Sequence, residues 1–133
     1  MRLTVHVDGG ARGNPGPAAI AAVVSDAAGE VVFEAHETIG RATNNVAEYR
    51  ALIFGIEKAA ELGATELELV GDSELVVKQV RGEYRVKDAG LKPLHSAAQK
   101  ALGEFAEWQI RHVKRDQNAA ADALVNQALD AES

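Results

Sequence analysis

The sequence contains no cysteine, which excludes disulfide bonds, thiolate zinc sites and cysteine nucleophiles. A bound metal would therefore need oxygen or imidazole ligands. Aromatic residues make up only 5% of the chain, and no apolar run approaches the roughly 18 residues of a membrane-spanning helix. The residues after Met1 show no secretory signal pattern. We therefore expect a cytoplasmic protein that does not bind a membrane.

Positive charge is also scarce, with 14 basic against 20 acidic residues and a formal net charge of -6 at pH 7. Net charge therefore provides no attraction to nucleic acid, and a nucleic-acid site would have to be local or assisted by metal ions. With 133 residues, 47% hydrophobic and 26% charged, the composition predicts a single globular domain over 1–133.

The first third of the sequence has the period-two alternation of β-strands. It predicts a strand from Leu3 to Asp8 that stops at the glycines that follow. The segment 9–17 concentrates glycine and proline and predicts a special loop. Apolar runs at 18–24 and 31–39 predict two further strands, joined by a turn at 25–30. Three antiparallel strands in a meander are the simplest arrangement.

After position 40 the pattern changes to a helical period, and an apolar stripe over 46–60 predicts a helix that ends at Gly63. The later segments predict a strand at 65–70, helices at 72–80 and 91–105, a strand at 108–113 and a helix at 119–130. Crossover helices make the later strands parallel to the first. The sequence thus predicts an α/β fold with a mixed five-stranded sheet, three antiparallel strands and then two parallel ones, flanked by helices.

Four acidic residues stand where strands end and helices begin: Asp8, Glu48, Asp72 and Asp122. Each of them has an ordinary alternative role. Asp8 and Gly9 form a turn dipeptide, and Asp72 suits the N-cap of a helix. Asp122 suits the positive end of a helix dipole, with Asn118 as the cap. Each acid taken alone therefore leaves its function open.

Glu48 also has two interpretations. It stands three residues after Asn45, and the pair has the spacing of a capping box at the helix start. The helical angle also places Glu48 beside Leu52 at the edge of the apolar stripe, so its carboxylate leans toward the sheet. A carboxylate in that position needs a partner.

Topology favours a joint role for the four acids. The first and fourth strands are neighbours in the predicted sheet, so acids at their carboxyl ends converge at one edge, where ligands collect in open sheets. With two helix-borne acids added, the four carboxylates cannot all stay ionised in a small volume unless cations neutralise them. Oxygen ligands of this kind select hard cations such as Mg²⁺.

The motifs around these acids resemble those of type 1 ribonuclease H over essentially the whole chain. The matching segments are 8–17 (DGGARGNPGP), 43–49 (TNNVAEY), 71–73 (GDS) and 118–124 (NAAADAL). Four such segments in this order are a specific signal. The resemblance implies a ribonuclease H-like fold, metal-binding catalytic roles for the four acids, and cleavage of the RNA strand of RNA/DNA hybrids.

The resemblance also implies a mechanism with two Mg²⁺ ions about 4 Å apart, for which Mn²⁺ can substitute. These ions would activate a water and stabilise the leaving oxygen, giving 5′-phosphate and 3′-hydroxyl ends. By the same resemblance, Asp8 would bridge the ions, Glu48 and Asp72 would bind one, and Asp122 would bind the other. Glu48 would also lie near the ribose 2′-hydroxyl.

Substrate contacts follow from the same resemblance. It implies contacts of the hybrid with Gly10, Arg12, Asn14, Asn44, Asn45, Ser73 and Arg115. The first three would contact the RNA strand, and the two asparagines after Thr43 would reach sugar or phosphate. Such contacts position a hybrid without reading its bases. Helix capping is the alternative role for Asn44 and Asn45.

Two departures are typical of a compact branch of the family. The loop 114–117 lacks the histidine that many members carry, so Arg115 would supply positive charge there, while His112 belongs to the preceding strand. The segment 82–90 is too short for the basic insertion of longer members, so we expect weaker and more salt-sensitive binding. A basic stretch, Arg81, Arg85, Lys87 and Lys92, either tracks the DNA phosphates or is a solvated face.

The sequence therefore predicts a monomeric, metal-dependent endoribonuclease that acts on RNA/DNA hybrids and has no protein partner. Two alternatives stay open. One is a hybrid-binding module of the same fold that does not cut, and the other is a related nuclease that acts on other nucleic-acid structures.

Overall fold

The computed structural model describes residues 1–132, which form five strands, four α-helices and one short 3-10 helix. The strands are β1 (Arg2–Ala11), β2 (Gly16–Ser25), β3 (Val31–Ala42), β4 (Glu66–Gly71) and β5 (Glu107–His112). The helices are α1 (Asn44–Glu61), α2 (Glu74–Val80), α3 (Lys92–Leu102) and α4 (Ala119–Glu132), and the 3-10 helix Arg115–Asn118 directly precedes α4. None of the helices described has the length and apolar character needed to cross a bilayer.

The strands form one mixed sheet in the order β3-β2-β1-β4-β5. β2 pairs antiparallel with both β1 and β3, whereas β4 runs parallel to β1 and β5 runs parallel to β4. This arrangement confirms the predicted α/β fold with its mixed five-stranded sheet. Because β1 and β4 are parallel neighbours, their carboxyl ends meet at the same edge of the sheet.

Helices cover both faces of the sheet. On one face, α1 packs over β1 and β2 and forms the larger hydrophobic core with α2 and α3. On the other face, α4 packs against Ala19 and Ala21 of β2 through Val125, Ala128 and Leu129. The two alanines are fully buried, so small side chains on β2 let α4 lie close to the sheet.

β1 does not stop at Asp8 as predicted, because it continues through two glycines to Ala11 and keeps its pairing with β2. The glycine at position 9 serves a close contact instead of a turn. A Cβ built on Gly9 would lie 2.2 Å from the carbonyl oxygen of Ala47, in the first turn of α1. The loop predicted at 9–17 is therefore shorter and spans only 12–15.

A second glycine brings α1 close to β1. A Cβ built on Gly55, in the middle of α1, would lie 2.6 Å from Cγ1 of Val7 and 2.9 Å from Cγ1 of Val5. Glycine in a helix interior costs about 0.5–1 kcal/mol relative to alanine, so the close approach has to offset that loss. One glycine on the strand and one on the helix thus set the short separation that positions the start of α1.

Other element boundaries also differ from the predictions. β3 extends to Ala42, because Gly40 takes a positive φ of 77° beside a shift in register with β2 instead of ending the strand. α3 ends at Leu102, short of the predicted 105. The predicted loop 114–117 is largely a 3-10 helix, which feeds directly into α4.

Candidate active site

Four elements bring the predicted acids to one edge of the sheet. Asp8 lies near the end of β1 and Asp72 directly follows β4, so the parallel pairing of these strands places them side by side. Glu48 belongs to the first turns of α1, which the contact at Gly9 holds against β1. Carboxylate oxygens of Asp8, Glu48 and Asp72 all lie within 4.8 Å of one another.

Asp122 lies beside Asp8, although it is not part of this closest group of three. The charge of Asp122, and its carboxyl group as a potential hydrogen-bond partner, both act on Asp8 and raise its pKa. Asn126, one turn further along α4, donates from Nδ2 to the backbone carbonyl of Asp122 at 3.2 Å and to its Oδ2 at 3.5 Å. The structure thus brings all four acids to one place, with Asp122 at its margin.

The N-cap of α1 is Thr43, whose Oγ1 accepts a hydrogen bond from the backbone N–H of Val46 at 3.2 Å. The capping box between Asn45 and Glu48 is therefore not formed. Glu48 instead accepts a hydrogen bond from the backbone N–H of Gly9 at 3.4 Å. Its carboxylate points to the strand, as its place beside the apolar stripe predicts.

Asp72 is likewise not a helix cap. The N-cap of α2 is Ser73, whose Oγ accepts from the backbone N–H of Val76 at 3.3 Å. The Asp72 carboxylate is left for other partners, and its Oδ2 accepts a hydrogen bond from Nδ2 of Asn118 at 3.1 Å. The interpretation as a helix-capping residue is therefore wrong both for Glu48 and for Asp72.

Asn118 is a site residue whose role the sequence interpretation missed, because it was predicted to cap α4. Its side chain turns inward, is only 1% exposed and also donates from Nδ2 to the backbone carbonyl of Val7 at 2.8 Å. The signal that could have found it is its position four residues before Asp122, at the start of the fourth matching segment.

Burial and crowding change the acidity of two carboxyl groups. Burial, followed by the charges of Asp72 and Asp122, raises the pKa of Asp8 to about 7, and the nearby charge of Arg115 opposes this rise. Burial also raises the pKa of Glu48 to about 9, with the charges of Asp8 and Asp72 adding to the effect. The site is therefore short of positive charge when its acids are ionised.

The acids line a cleft of about 440 Å³. Six of the seven predicted substrate residues also line it: Gly10, Arg12, Asn44, Asn45, Ser73 and Arg115. Asn14 is not among the lining residues, and its Oδ1 accepts a hydrogen bond from the backbone N–H of Asn44 at 3.0 Å. Asn44 in turn accepts from the backbone N–H of Ala11 at 2.9 Å, so these asparagines join α1 to the loop 12–15 and to the end of β1, and neither is the cap of α1.

The opposite wall of the cleft comes from α4, which the sequence interpretation did not single out apart from Asp122. Its lining residues are Val125, Asn126 and Leu129. Arg12 spans the loop and α4, because its Nη2 lies 2.6 Å from Oδ1 of Asp130. No histidine among residues 1–132 lines the cleft, and His112 is exposed at the end of the edge strand β5.

The predicted basic stretch divides into two parts. Arg81 makes structural contacts, since its Nε donates to the backbone carbonyl of Ile110 at 2.9 Å and its Nη1 lies 3.5 Å from Oε2 of Glu83. The other three members, Arg85, Lys87 and Lys92, line a separate open groove. Of this basic stretch, only Arg85, Lys87 and Lys92 therefore form an open cationic surface, whereas Arg81 is engaged in tertiary contacts.

Comparisons with known proteins match nearly the whole chain. A family model described as reverse transcriptase-like matches residues 6–128. Ribonuclease HI of Halobacterium salinarum is 48% identical over 129 residues, which are 97% of this chain and 65% of that protein. Bifunctional protein Rv2228c of Mycobacterium tuberculosis is 47% identical over 132 residues, 98% of this chain and 36% of that protein. The chain thus spans about two thirds of the length of the Halobacterium salinarum protein and about one third of the length of the Mycobacterium tuberculosis protein.

Solved structures share the fold at similar identity. The crystal structure of RNase H1 from Halobacterium salinarum has a TM-score of 0.96 and 48% identity, with 98% of each chain covered. LC11-RNase H1, isolated from compost and solved in complex with an RNA/DNA hybrid, has a TM-score of 0.93 and 41% identity, again with 98% of each chain covered.

Proposed function

Because the chain belongs to the type 1 ribonuclease H family, we propose that it is a metal-dependent endoribonuclease that hydrolyses the RNA strand of RNA/DNA hybrids. The products would carry 5′-phosphate and 3′-hydroxyl ends. The observation that carries this proposal is the group of Asp8, Glu48 and Asp72, whose carboxylate oxygens lie within 4.8 Å of one another. A fold alone does not imply a reaction, whereas this acidic group in an open cleft supports one.

The donor set of the cleft fits divalent metal ions. It offers carboxylate oxygens, which hard cations prefer, and the raised pKa values of Asp8 and Glu48 reflect a shortage of positive charge that such cations would correct. We propose Mg²⁺ as the cofactor, with Mn²⁺ able to replace it. Asp8 would contact both of two ions, Glu48 and Asp72 would hold one, and Asp122 would hold the other.

When bound, such ions supply an activated water and neutralise charge that develops on the scissile phosphate. The protein's own groups hold the carboxylates in place for this chemistry. The backbone N–H of Gly9 donates to Glu48, and the Asn118 amide donates to Asp72. Arg115 contributes positive charge near Asp8, and we propose that it assists departure of the cleaved phosphate end.

A hybrid is the substrate that the cleft and the relatives favour. LC11-RNase H1, at 41% identity, has been solved with an RNA/DNA hybrid bound. In this chain the residues beside the acids are amides, hydroxyls, arginines and glycine backbone: Gly10, Arg12, Asn44, Asn45, Ser73 and Arg115. We propose that they contact sugars and phosphates, with Asn14 acting from the adjoining loop. Such groups recognise the shape of a hybrid and its 2′-hydroxyls, not a base sequence.

Four further properties belong to the same proposal and rest on the sequence. We propose that 1–133 is a single domain, that it acts as a monomer, that it needs no protein partner, and that it works in the cytoplasm. Gel filtration with light scattering would test the monomer, and cleavage by the isolated chain would test its independence of partners.

Cleavage of a hybrid with a labelled RNA strand tests the activity. We expect cleavage with Mg²⁺, none with a chelator, and a loss of at least about a hundredfold in rate for Asp8→Asn. Asp26→Asn is the matched control, because it makes the same charge change in the exposed turn between β2 and β3 and should retain full activity.

The other outcomes identify the alternatives. Hybrid binding by the wild-type chain without metal-dependent cleavage would favour the module that does not cut. Cleavage of duplex DNA or of Holliday junctions in place of the hybrid would favour a related nuclease. Retention of activity by Asp8→Asn would contradict the assignment of the site itself.

A further inference from the structure

One side chain lies at the junction of three elements that carry the acids. Asn118 ends the 3-10 helix and is followed at once by α4, which carries Asp122. Its Nδ2 donates to the carbonyl of Val7, the residue before Asp8, at 2.8 Å. The same nitrogen donates to Oδ2 of Asp72 at 3.1 Å. A single amide group therefore touches β1 and the residue after β4 from the start of α4.

The orientation of this amide is determined by its partners. Both groups that it meets are hydrogen-bond acceptors, so the nitrogen must face them, and Oδ1 of Asn118 is left buried with no hydrogen-bond partner among residues 1–132. A buried polar atom without a partner is unfavourable and uncommon in native proteins. Packing alone would be served better by an apolar residue of the same size, so the two donated hydrogen bonds are what the asparagine contributes.

The Asp72 carboxylate needs such a partner because of where it stands. It follows the last residue of β4 and precedes the N-cap of α2, so neither the sheet ladder nor a helix cap holds its side chain. The neighbouring acids repel it, since oxygens of Asp8, Glu48 and Asp72 lie within 4.8 Å of one another. A donor anchored on the strand that carries Asp8 would hold Asp72 close to Asp8 against this repulsion.

We propose that Asn118 is a positioning residue that holds the Asp72 carboxylate at a fixed distance from Asp8 and couples both to the start of α4. The inference rests on the proposed function, because it concerns the same site. It adds a residue that affects the reaction only by positioning the Asp72 carboxylate. In metal sites, groups that orient the ligands in this way change metal affinity or activity by about 10–100-fold when they are removed.

The variant that tests this is Asn118→Leu, which keeps the shape of the side chain and removes its donor. Gln79→Met is the matched control, because Gln79 is 5% exposed and accepts a hydrogen bond from the hydroxyl of Tyr49 at 2.5 Å in the core between α1 and α2. Both variants lose a buried amide, but only Asn118 touches Asp72. The stability of each variant is first measured by urea unfolding. All further measurements are then made at a temperature at which both variants are folded.

Three readouts separate positioning from packing. We expect Asn118→Leu to lower kcat and Mg²⁺ affinity, measured by calorimetry, by about 10–100-fold, with KM for the hybrid within about twofold. A crystal structure of metal-free Asn118→Leu should show the Asp72 carboxylate moved away from Asp8. Gln79→Met should lose stability and keep kcat, Mg²⁺ affinity and the carboxylate positions.

An unmoved Asp72 in Asn118→Leu, or wild-type kcat and Mg²⁺ affinity, would overturn the proposal. So would an equal loss in Gln79→Met, since that would trace the effect to general destabilisation. If the wild-type chain does not cleave hybrids at all, the proposed function fails, whereas the crystal structure of the variant still decides whether Asn118 positions Asp72.

Discussion

Glu48 and Asp8 lie in surroundings that disfavour their charged forms. Burial and neighbouring acids raise the pKa of Glu48 to about 9 and that of Asp8 to about 7 in the folded chain. In the unfolded chain both groups ionise near about pH 4. Between these pH values the folded state binds more protons than the unfolded state, so the free energy of unfolding falls as pH rises. In the absence of cations the site therefore lowers the stability of the fold, and the same crowding of acids makes it a place where cations bind.

This linkage predicts a pH dependence of stability in the absence of metal. With a chelator present, we expect the free energy of unfolding to fall by several kcal/mol, on the order of 1 kcal/mol per pH unit, between about pH 5 and about pH 9. Glu48→Gln should flatten that fall, while Glu57→Gln, an exposed position on the same helix, should not. Urea denaturation at a series of pH values measures it. A wild-type profile that is flat, or that rises with pH, would contradict the prediction.

Arg115 is the cation that acts on Asp8, and its charge opposes the rise in the Asp8 pKa. It is exposed, so we expect Arg115→Ala to raise the activation barrier by only about 1 kcal/mol, which is about fivefold in kcat. KM for the hybrid should change less than kcat if Arg115 assists product departure. Steady-state kinetics against Lys114→Ala, the exposed neighbour, makes the comparison. An unchanged kcat would discard this role.

At the scale of elements, the contact between β1 and α1 decides where Glu48 lies. A Cβ on Gly9 would meet the backbone of Ala47 at 2.2 Å, which no side-chain movement can relieve. A Cβ on Gly10, the next residue, would lie 3.8 Å from Cγ1 of Val125, an ordinary contact distance. These adjacent glycines therefore differ in their structural importance.

We expect Gly9→Ala to destabilise the chain by about 3 kcal/mol or more, because it forces the first turn of α1 away from β1. Gly10→Ala should change stability by less than about 1 kcal/mol. Thermal and urea unfolding of the two variants measure the difference. Equal stabilities would show that α1 can shift at no cost, and the close approach would then not be what places Glu48.

The elements follow the predicted order, but several of them begin or end at other residues than predicted. Hydrophobic period is a local property, so the mixed sheet and the main helices could be predicted from it. The caps could not, since Thr43 and Ser73 compete with Asn45 and Asp72 for the same role and only the bend of the chain decides among them. The end of β1 could not be predicted either. The strand continues past Asp8, because Gly9 allows the close contact with α1 instead of forming a turn.

At the scale of the whole molecule, the acidic charge has to be overcome before a polyanion can bind. The formal net charge is -6, and the cationic groups stand in few places, including the groove lined by Arg85, Lys87 and Lys92. Binding of a hybrid should therefore depend on local cations and on metal ions, and it should weaken as salt rises.

The groove makes this dependence testable. We expect Lys87→Ala to weaken hybrid binding and to reduce the slope of log Kd against log salt by about 1, as the loss of one phosphate contact does. Lys100→Ala, which removes an exposed lysine outside the groove, should leave the slope unchanged. Binding of an uncleaved hybrid to the Asp8→Asn background at several salt concentrations measures both. Equal slopes for the two variants would make the groove an ordinary solvated face.

The amino-acid sequence by itself determined the order of the elements and the mixed sheet, because hydrophobic period is a property of neighbouring residues. Its motifs also singled out the four acids as candidates. Only the tertiary structure decided how those acids are held. The amide of Asn118 bonds to Val7, 111 positions away, and the carboxylate of Glu48 meets the backbone of Gly9, 39 positions away. Such contacts depend on the separation and orientation of packed elements, which no local pattern encodes.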